Sequence, residues 1–288
     1  VKQPGTGAGK RAGRIAAWRA AVPQRLHHAA SRWSLALGEI LAEGEASCVV
    51  AARGPDGADL VVKCALPGQG IGAEAAALAA FGGRGAVRLV AADAAAGLLV
   101  LERARPGAPL SALAARDDDA AMRIAGRLVT TLPVPPPAGA LFAEAAGWGR
   151  ALAGACGRLP APLLERASGL LADLVASAPD HLLLHGDLHP GNILCHGEGW
   201  LAVDPKGLIG ERAAEAACLL RTPADPARLA RAPRRVAILA EMTGLDRQRL
   251  AAWGLVGVAI AAAWAVEDAI DPAPWLTAAE ALLPLLPR

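Results

Sequence analysis

The densest group of reactive side chains in the chain is His185-Gly186-Asp187-Leu188-His189-Pro190-Gly191-Asn192, set between apolar runs. Asp187 and Asn192 stand five residues apart, and Asp204 follows twelve residues later, after the apolar run 200–203. Short strands joined by polar loops hold such side chains in place while leaving them reachable. A carboxylate at Asp187 can orient an attacking hydroxyl. The oxygens of Asn192 and Asp204 suit Mg2+, a hard cation that takes few protein ligands. A second chemistry is open at the same place. In His185-x-Asp187-x-His189 alternate strand residues share a face, and His and Asp both bind zinc, so a metallohydrolase is the alternative. Elsewhere, Lys63 interrupts an apolar strand, residues 60–64, where a lone lysine is costly. Glu74, eleven residues on in a predicted helix, is placed to neutralise it. An exposed strand face would also accommodate Lys63.

Taken in order, Lys63, Glu74, Asp187, Asn192 and Asp204 resemble the machinery of protein-kinase-like enzymes: a phosphate-binding lysine, its helix glutamate, a base and two magnesium ligands. Within that superfamily, residues 185–192 followed by Val203-Asp204-Pro205-Lys206-Gly207-Leu208-Ile209-Gly210-Glu211 are similar to the streptomycin 6-phosphotransferase family, also described as aminoglycoside or hydroxyurea resistance kinases. Asp-Pro-Lys in place of Asp-Phe-Gly is its most specific feature, and the resemblance extends through Val61-Val62-Lys63, Glu74 and residues 99–107. It implies an α+β, bilobal protein-kinase-like fold, with a small β-rich N-terminal lobe and a larger, mostly helical C-terminal lobe. It implies ATP and Mg2+ as cofactors, Asp187 as catalytic residue and His185 as support of its loop. Lys63, Glu74 and Ser47 would serve the nucleotide phosphates, Glu102 the hinge that pairs with adenine, and Asn192 and Asp204 the metal.

The resemblance further implies phosphorylation of a hydroxyl of an aminoglycoside antibiotic, a small cationic molecule, giving resistance by inactivation. Hydroxyurea or another small hydroxyl metabolite is the alternative acceptor. About eight residues separate Asp204 from the next helix. A protein kinase needs a far longer activation segment closing on Ala-Pro-Glu. A cationic acceptor wants carboxylates in bidentate geometry. Glu267, Asp268 and Asp271 end a long apolar helix, where negative charge opposes the macrodipole by about 0.3–1 kcal/mol. Acids placed there without local benefit are candidates for the acceptor, with Glu211 and Glu215 as second candidates.

The elements that must position these residues follow from the residue pattern. The 288 residues are 54% hydrophobic and only 3% aromatic, mostly alanine and leucine, which favours helices and excludes disorder. A net charge of +2 leaves no footprint for a polyanion, so no nucleic-acid partner is expected. Helical spacing marks residues 10–30 and 71–81. Gly54-Pro55-Asp56-Gly57 between two apolar runs marks a hairpin, and 87–92 and 98–102 read as strands. Residues 1–105 thus form an N-terminal nucleotide-binding lobe with a leading helix. Residues 106–288 form a helical lobe with the catalytic loop and acceptor site. In that lobe 111–132, 142–156 and 162–176 read as helices, and 181–185, 193–195 and 200–203 as strands. The uncharged run 250–266 has 17 residues, short of the roughly 20 that a membrane span needs. A buried core helix, and no membrane partner, is expected. Five cysteines without Cys-x-x-Cys fit reduced thiols and, with no charged-then-apolar leader, a cytoplasmic protein, and a monomer is expected.

Overall fold

The structure, a computed structural model, describes residues 6–68, 70–139 and 142–287. The chain forms two compact units, one up to Gly83 and over Val87–Ala104, the other from Arg84–Ala86 and from Arg105 onward. The first holds α1 (Thr6–Trp33), β1 (Ala36–Glu43), β2 (Ser47–Arg53), β3 (Asp59–Ala65), α2 (Ile71–Phe81), β4 (Leu89–Asp93) and β5 (Leu98–Glu102). Its antiparallel sheet runs β1-β2-β3-β5-β4. Side chains alternate across a strand, and the alternation sorts the two faces. Cys48, Val50 and Ala52 of β2 and Leu60, Val62 and Cys64 of β3 join Ile15, Trp18 and Ala29 of α1 in one core. Lys63 falls between Val62 and Cys64 and so belongs to the opposite face.

The second unit continues with β6 (Pro106–Pro109), α3 (Leu110–Ala114), α4 (Asp118–Thr131), β7 (Ala143–Glu144), α5 (Gly149–Gly154) and α6 (Ala161–Ala176). Then follow β8 (Leu182–Leu184), β9 (Ile193–His196), β10 (Gly199–Ala202) and β11 (Leu208–Gly210). The helices α7 (Ala216–Arg221), α8 (Pro226–Leu229), α9 (Ala232–Thr243), α10 (Arg247–Glu267) and α11 (Ala273–Leu282) complete it. Two three-stranded sheets, β10-β9-β6 and β7-β11-β8, frame the polar loops. The expected helix 111–132 is broken after Ala114, and Asp117 caps the second part, its carboxylate accepting the Ala120 N–H at 2.9 Å. Residues 142–156 give only the two-residue β7, a 3-10 turn and the short α5.

The apolar run 250–266 lies within α10, which is apolar on every side. By length and composition it is long enough to cross a membrane, yet fifteen of its 21 residues are buried inside this unit. Two glycines let α7 lie directly on it. A Cβ at Gly257 would come within 2.9 Å of Ala217 Cβ and 3.1 Å of the Ala217 carbonyl oxygen. One at Gly254 would meet Leu220 at 2.7 Å. The end of α7 is then pinned from another side. Arg235, fully buried, pairs with Asp118 at 2.7 Å and donates to the carbonyls of Leu219 (3.0 Å) and Thr222 (2.9 Å). Gly257→Val should therefore push α7 away and destabilise the protein by about 1–3 kcal/mol, the usual cost of overpacking. Urea unfolding checks this; a variant as stable as the parent would show that the helices are not in fixed contact.

Candidate active site

Strand β8 delivers the chain to His185, and β11 pairs with it antiparallel, Leu208 opposite Leu184, so residues 185–207 form a loop system closed at its base. His185 is completely buried, and both ring nitrogens are engaged with backbone. Nδ1 accepts the Asp187 N–H at 3.3 Å, so the proton sits on Nε2, which donates to the Val203 carbonyl at 2.9 Å. Burial pulls its pKa down to about 4, and the ring stays neutral. His185 is thus a brace between the Asp187 loop and the strand end before Asp204. A zinc ligand needs a free ring nitrogen, so the His185/Asp187/His189 metallohydrolase is not supported. The described residues contain no group of three or more His, Cys, Asp or Glu able to hold a metal.

Next in the chain, Gly186 has φ 79°, and a Cβ there would lie 2.8 Å from Leu208 Cβ; only glycine fits both demands. Beneath it lies Glu215, in a 3-10 turn just before α7 and only 1% exposed. Its two carboxylate oxygens accept the N–H groups of His185 (2.5 Å) and Gly186 (3.0 Å). Burial raises the Glu215 pKa to about 7 in spite of these bonds.

Asp187 emerges from this support half-buried. Asn192 Nδ2 donates to the Asp187 carbonyl at 3.0 Å and lies 3.5 Å from its carboxylate. The Asn192 amide oxygen is the atom that a hard cation would take. The Asn192 carbonyl accepts the Val203 N–H at 2.9 Å, which ties the loop to the residue before Asp204. Asp204 has φ 60°, and its carboxylate lies 2.8 Å from Lys206 Nζ. An amide oxygen and a carboxylate are the sparse, hard donor set that Mg2+ accepts when phosphate and water supply the rest. Burial raises the pKa of Asp187, and the neighbouring His189, Lys206 and Arg221 oppose that rise.

In the first unit, Lys63 Nζ lies 2.7 Å from both oxygens of Glu74, and both residues are buried. Ser47 opens β2 beside the turn in which its carbonyl accepts the Gly44 N–H at 2.8 Å. The N–H groups of Glu102 and Arg103 donate to the carbonyls of Arg88 and Asp59, so an adenine contact from Glu102 would use its carbonyl. The acids expected at the acceptor divide. Glu211 turns inward: it is 2% exposed, pairs with Arg249 at 2.7 Å and accepts from the Trp253 indole. Its charge is balanced within the protein, as the Glu215 carboxylate is spoken for by two amides. Glu267 and Asp268 are exposed at the end of α10. Asp271 is exposed as well, and its carboxylate accepts the Ala273 N–H at 3.0 Å, a local use at the start of α11.

The two buried titrating groups act on stability in opposite directions. His185, depressed from 6.5 to about 4, contributes stability fully present above pH 6.5 and lost as pH falls through 4. Glu215, raised from 4.5 to about 7, contributes stability fully present below pH 4.5 and lost as pH rises through 7. Between 4.5 and 6.5 they offset each other. Glu215→Gln offers one acceptor oxygen to two N–H groups and should cost about 1–3 kcal/mol. In that variant the His185 contribution stands alone, so stability should rise from pH 4.5 to 6.5 more steeply than in the parent. Urea titrations at the two pH values decide; parallel curves would remove Glu215 from the account.

Residues 32–269 match the family model described as aminoglycoside/hydroxyurea antibiotic resistance kinase. The chain is 35% identical to a streptomycin 6-kinase of Streptomyces glaucescens, covering 92% of this chain and 91% of that one. It is 36% identical to a hydroxyurea phosphotransferase of Kitasatospora aureofaciens, covering 86% and 74%. Among solved structures, a choline kinase of Streptococcus pneumoniae superposes with a TM-score of 0.63 at 14% identity, over 91% of this chain and 99% of that one. The fold is therefore protein-kinase-like, as its motifs led one to expect, and the enzyme is a phosphotransferase acting on a hydroxyl group. By sequence and by fold together, this chain belongs to the aminoglycoside/hydroxyurea antibiotic resistance kinase family.

Proposed function

We propose that this phosphotransferase moves the γ-phosphoryl group of ATP to a hydroxyl of an aminoglycoside, O6 of streptomycin, and so inactivates the antibiotic. The observation that carries the reading is kinship with a streptomycin 6-kinase along nearly the whole chain, with Asp187, Asn192 and Asp204 present on one braced loop system. Mg2+, when bound, neutralises charge on the phosphates. Asn192 and Asp204 would hold it through their side-chain oxygens. Asp187 accepts the hydrogen of the acceptor hydroxyl, aligning the oxygen for in-line attack, and takes the proton as the new P–O bond forms and the bond to the β-phosphate breaks. Lys63, held by Glu74, binds the α/β-phosphates, with Ser47 and neighbouring backbone amides in support. Glu102 offers its carbonyl to adenine, and His185 keeps Asp187 and Asp204 in register without exchanging a proton itself.

Of the candidate acceptor acids, Glu267 and Asp268 are exposed and have no side-chain bond among the described residues, and we assign them to the cationic groups of the antibiotic. A second reading, phosphorylation of hydroxyurea, is favoured by the hydroxyurea phosphotransferase relative. The two acceptors differ in charge, which separates the readings.

Asp187→Asn should lower kcat for streptomycin by about 10²–10⁴-fold while ATP binding persists, because only the group that orients the hydroxyl is lost. A coupled ADP-release assay beside a nucleotide titration measures both; turnover near the parent's would remove Asp187 from the chemistry. Glu267→Gln and Asp268→Asn should raise the streptomycin KM and leave the ATP KM unchanged, since a contact made equally in ground and transition states appears in KM. The effect should shrink at high salt, because screening acts most on open ion pairs. Hydroxyurea is neutral, and its KM should not respond to these substitutions. An unchanged streptomycin KM in the double variant would leave the acids as plain solvated surface.

A further inference from the structure

Arg221, the last residue of α7, sets a guanidinium beside the Asp187 carboxylate, and the surrounding protein satisfies little of it. The side chain is only 9% exposed. Its Cζ lies 5.0 Å from the ring centroid of Trp264 and 5.8 Å from that of Trp148, so two indoles hold the cation. Nη2 lies 3.1 Å from Cys218 Sγ, a weak acceptor, and 4.0 Å from Asp187 Oδ1, beyond hydrogen-bond reach. Nη1 is buried and has no hydrogen-bond partner among the described residues. Nor is the backbone free to carry the group elsewhere. Trp275 Nε1 donates to the Arg221 carbonyl at 3.0 Å, and Arg235 grips the carbonyls of Leu219 and Thr222 on either side.

A buried donor left open bears its full desolvation penalty, and a native protein that tolerates one calls for a reason. Here the open donor belongs to a rigidly mounted cation next to the carboxylate that receives the acceptor hydroxyl. Trp264, 39% exposed, reaches solvent beside it. An acceptor that gives its hydroxyl to Asp187 brings the neighbouring atoms of the same molecule toward this guanidinium, whose Nη2 lies 4.0 Å from Asp187 Oδ1.

We propose that Arg221 is a specificity-determining residue of the acceptor site: its guanidinium, whose Nη2 is the nitrogen nearest Asp187, donates to a neutral oxygen next to the hydroxyl being phosphorylated. The inference rests on Asp187 receiving the acceptor hydroxyl, as proposed above. It selects acceptors in which that hydroxyl is flanked by a second oxygen. A cyclitol supplies the next ring hydroxyl, and hydroxyurea supplies its carbonyl oxygen. The shared chemistry is an oxygen acceptor placed beside the reacting oxygen.

The test is a cycle between Arg221 and that oxygen. Arg221→Met keeps the apolar bulk between the indoles and removes the donor; Arg221→Lys keeps a cationic donor. Each is compared with the parent on two acceptor pairs: streptomycin against an analogue lacking the hydroxyl next to the phosphorylated one, and hydroxyurea against N-methylhydroxylamine, which is uncharged at neutral pH and lacks the carbonyl oxygen. In the parent, removing the oxygen should lower kcat/KM by about tenfold to a hundredfold, the worth of one hydrogen bond to a charged donor. Arg221→Met should lose that much on the intact acceptor and no longer distinguish the pair, with ADP affinity unchanged. Arg221→Lys should recover part of the discrimination, and it carries the test alone if Arg221→Met does not fold. Which pair shows the effect tells which acceptor is the natural one. A variant that distinguishes the pairs as sharply as the parent, or that loses acceptor turnover and ADP affinity together, overturns the proposal. A parent enzyme that phosphorylates no acceptor overturns the functional reading and this inference with it, so the two failures are told apart.

Discussion

A single buried carboxylate underlies the candidate active site. Glu215 accepts the two backbone N–H groups that open the reactive loop, at His185 and Gly186, where no neighbouring strand can reach them. Two unpaired amides in that apolar setting would cost about as much as the loop gains from any single contact. With both satisfied, the chain can turn through the left-handed Gly186 and press against Leu208. Asp187 then leaves the core in one fixed direction. The raised pKa of Glu215 records the cost of placing a carboxylate there.

Everything that steadies Glu215 comes from the helical core behind it. It precedes α7, and α7 lies on α10 because Gly254 and Gly257 bring no side chain to the contact. Arg235 and Trp275 hold the carbonyls at the far end of the same short helix. One helix of six residues thus carries the loop's anchor at its start and Arg221 at its end. On the other side of the loop, neutral His185 spans from the Asp187 amide to Val203, so the two stretches bearing Asp187 and Asp204 cannot shift independently. The reactive groups are half-buried, and what positions them is fully buried and bonded through backbone.

Much of this was legible from residue types. The helix at 71–81, the strand at 98–102 and the Lys63–Glu74 pair are local signals: an apolar pattern of definite period, or one buried charge needing another. The polar island 185–192 stands out because its neighbours are apolar. Elements stabilised at long range were not legible. β11 has three residues and exists by pairing with β8 and β7, and β6 by pairing with β9. Every residue of β1 is exposed, so no alternation marks it. Glu211 could pass for an acceptor carboxylate because Arg249, its partner, lies 38 residues away. The place of Glu215 is hidden for a deeper reason: it bonds backbone amides, which any residue type would present. The Asp117-Asp118-Asp119 run did carry a usable signal, a helix cap that divides what otherwise scans as one long helix.

In the proposed reaction a rigid loop presents one carboxylate to the hydroxyl of a cationic antibiotic. The most direct test is identification of the product by 31P NMR and mass spectrometry after incubating the purified enzyme with ATP, Mg2+ and streptomycin. The account predicts a single phosphomonoester at O6 of streptomycin, formed in step with ADP. No phosphorylated streptomycin, alongside ready phosphorylation of hydroxyurea under the same conditions, would contradict it.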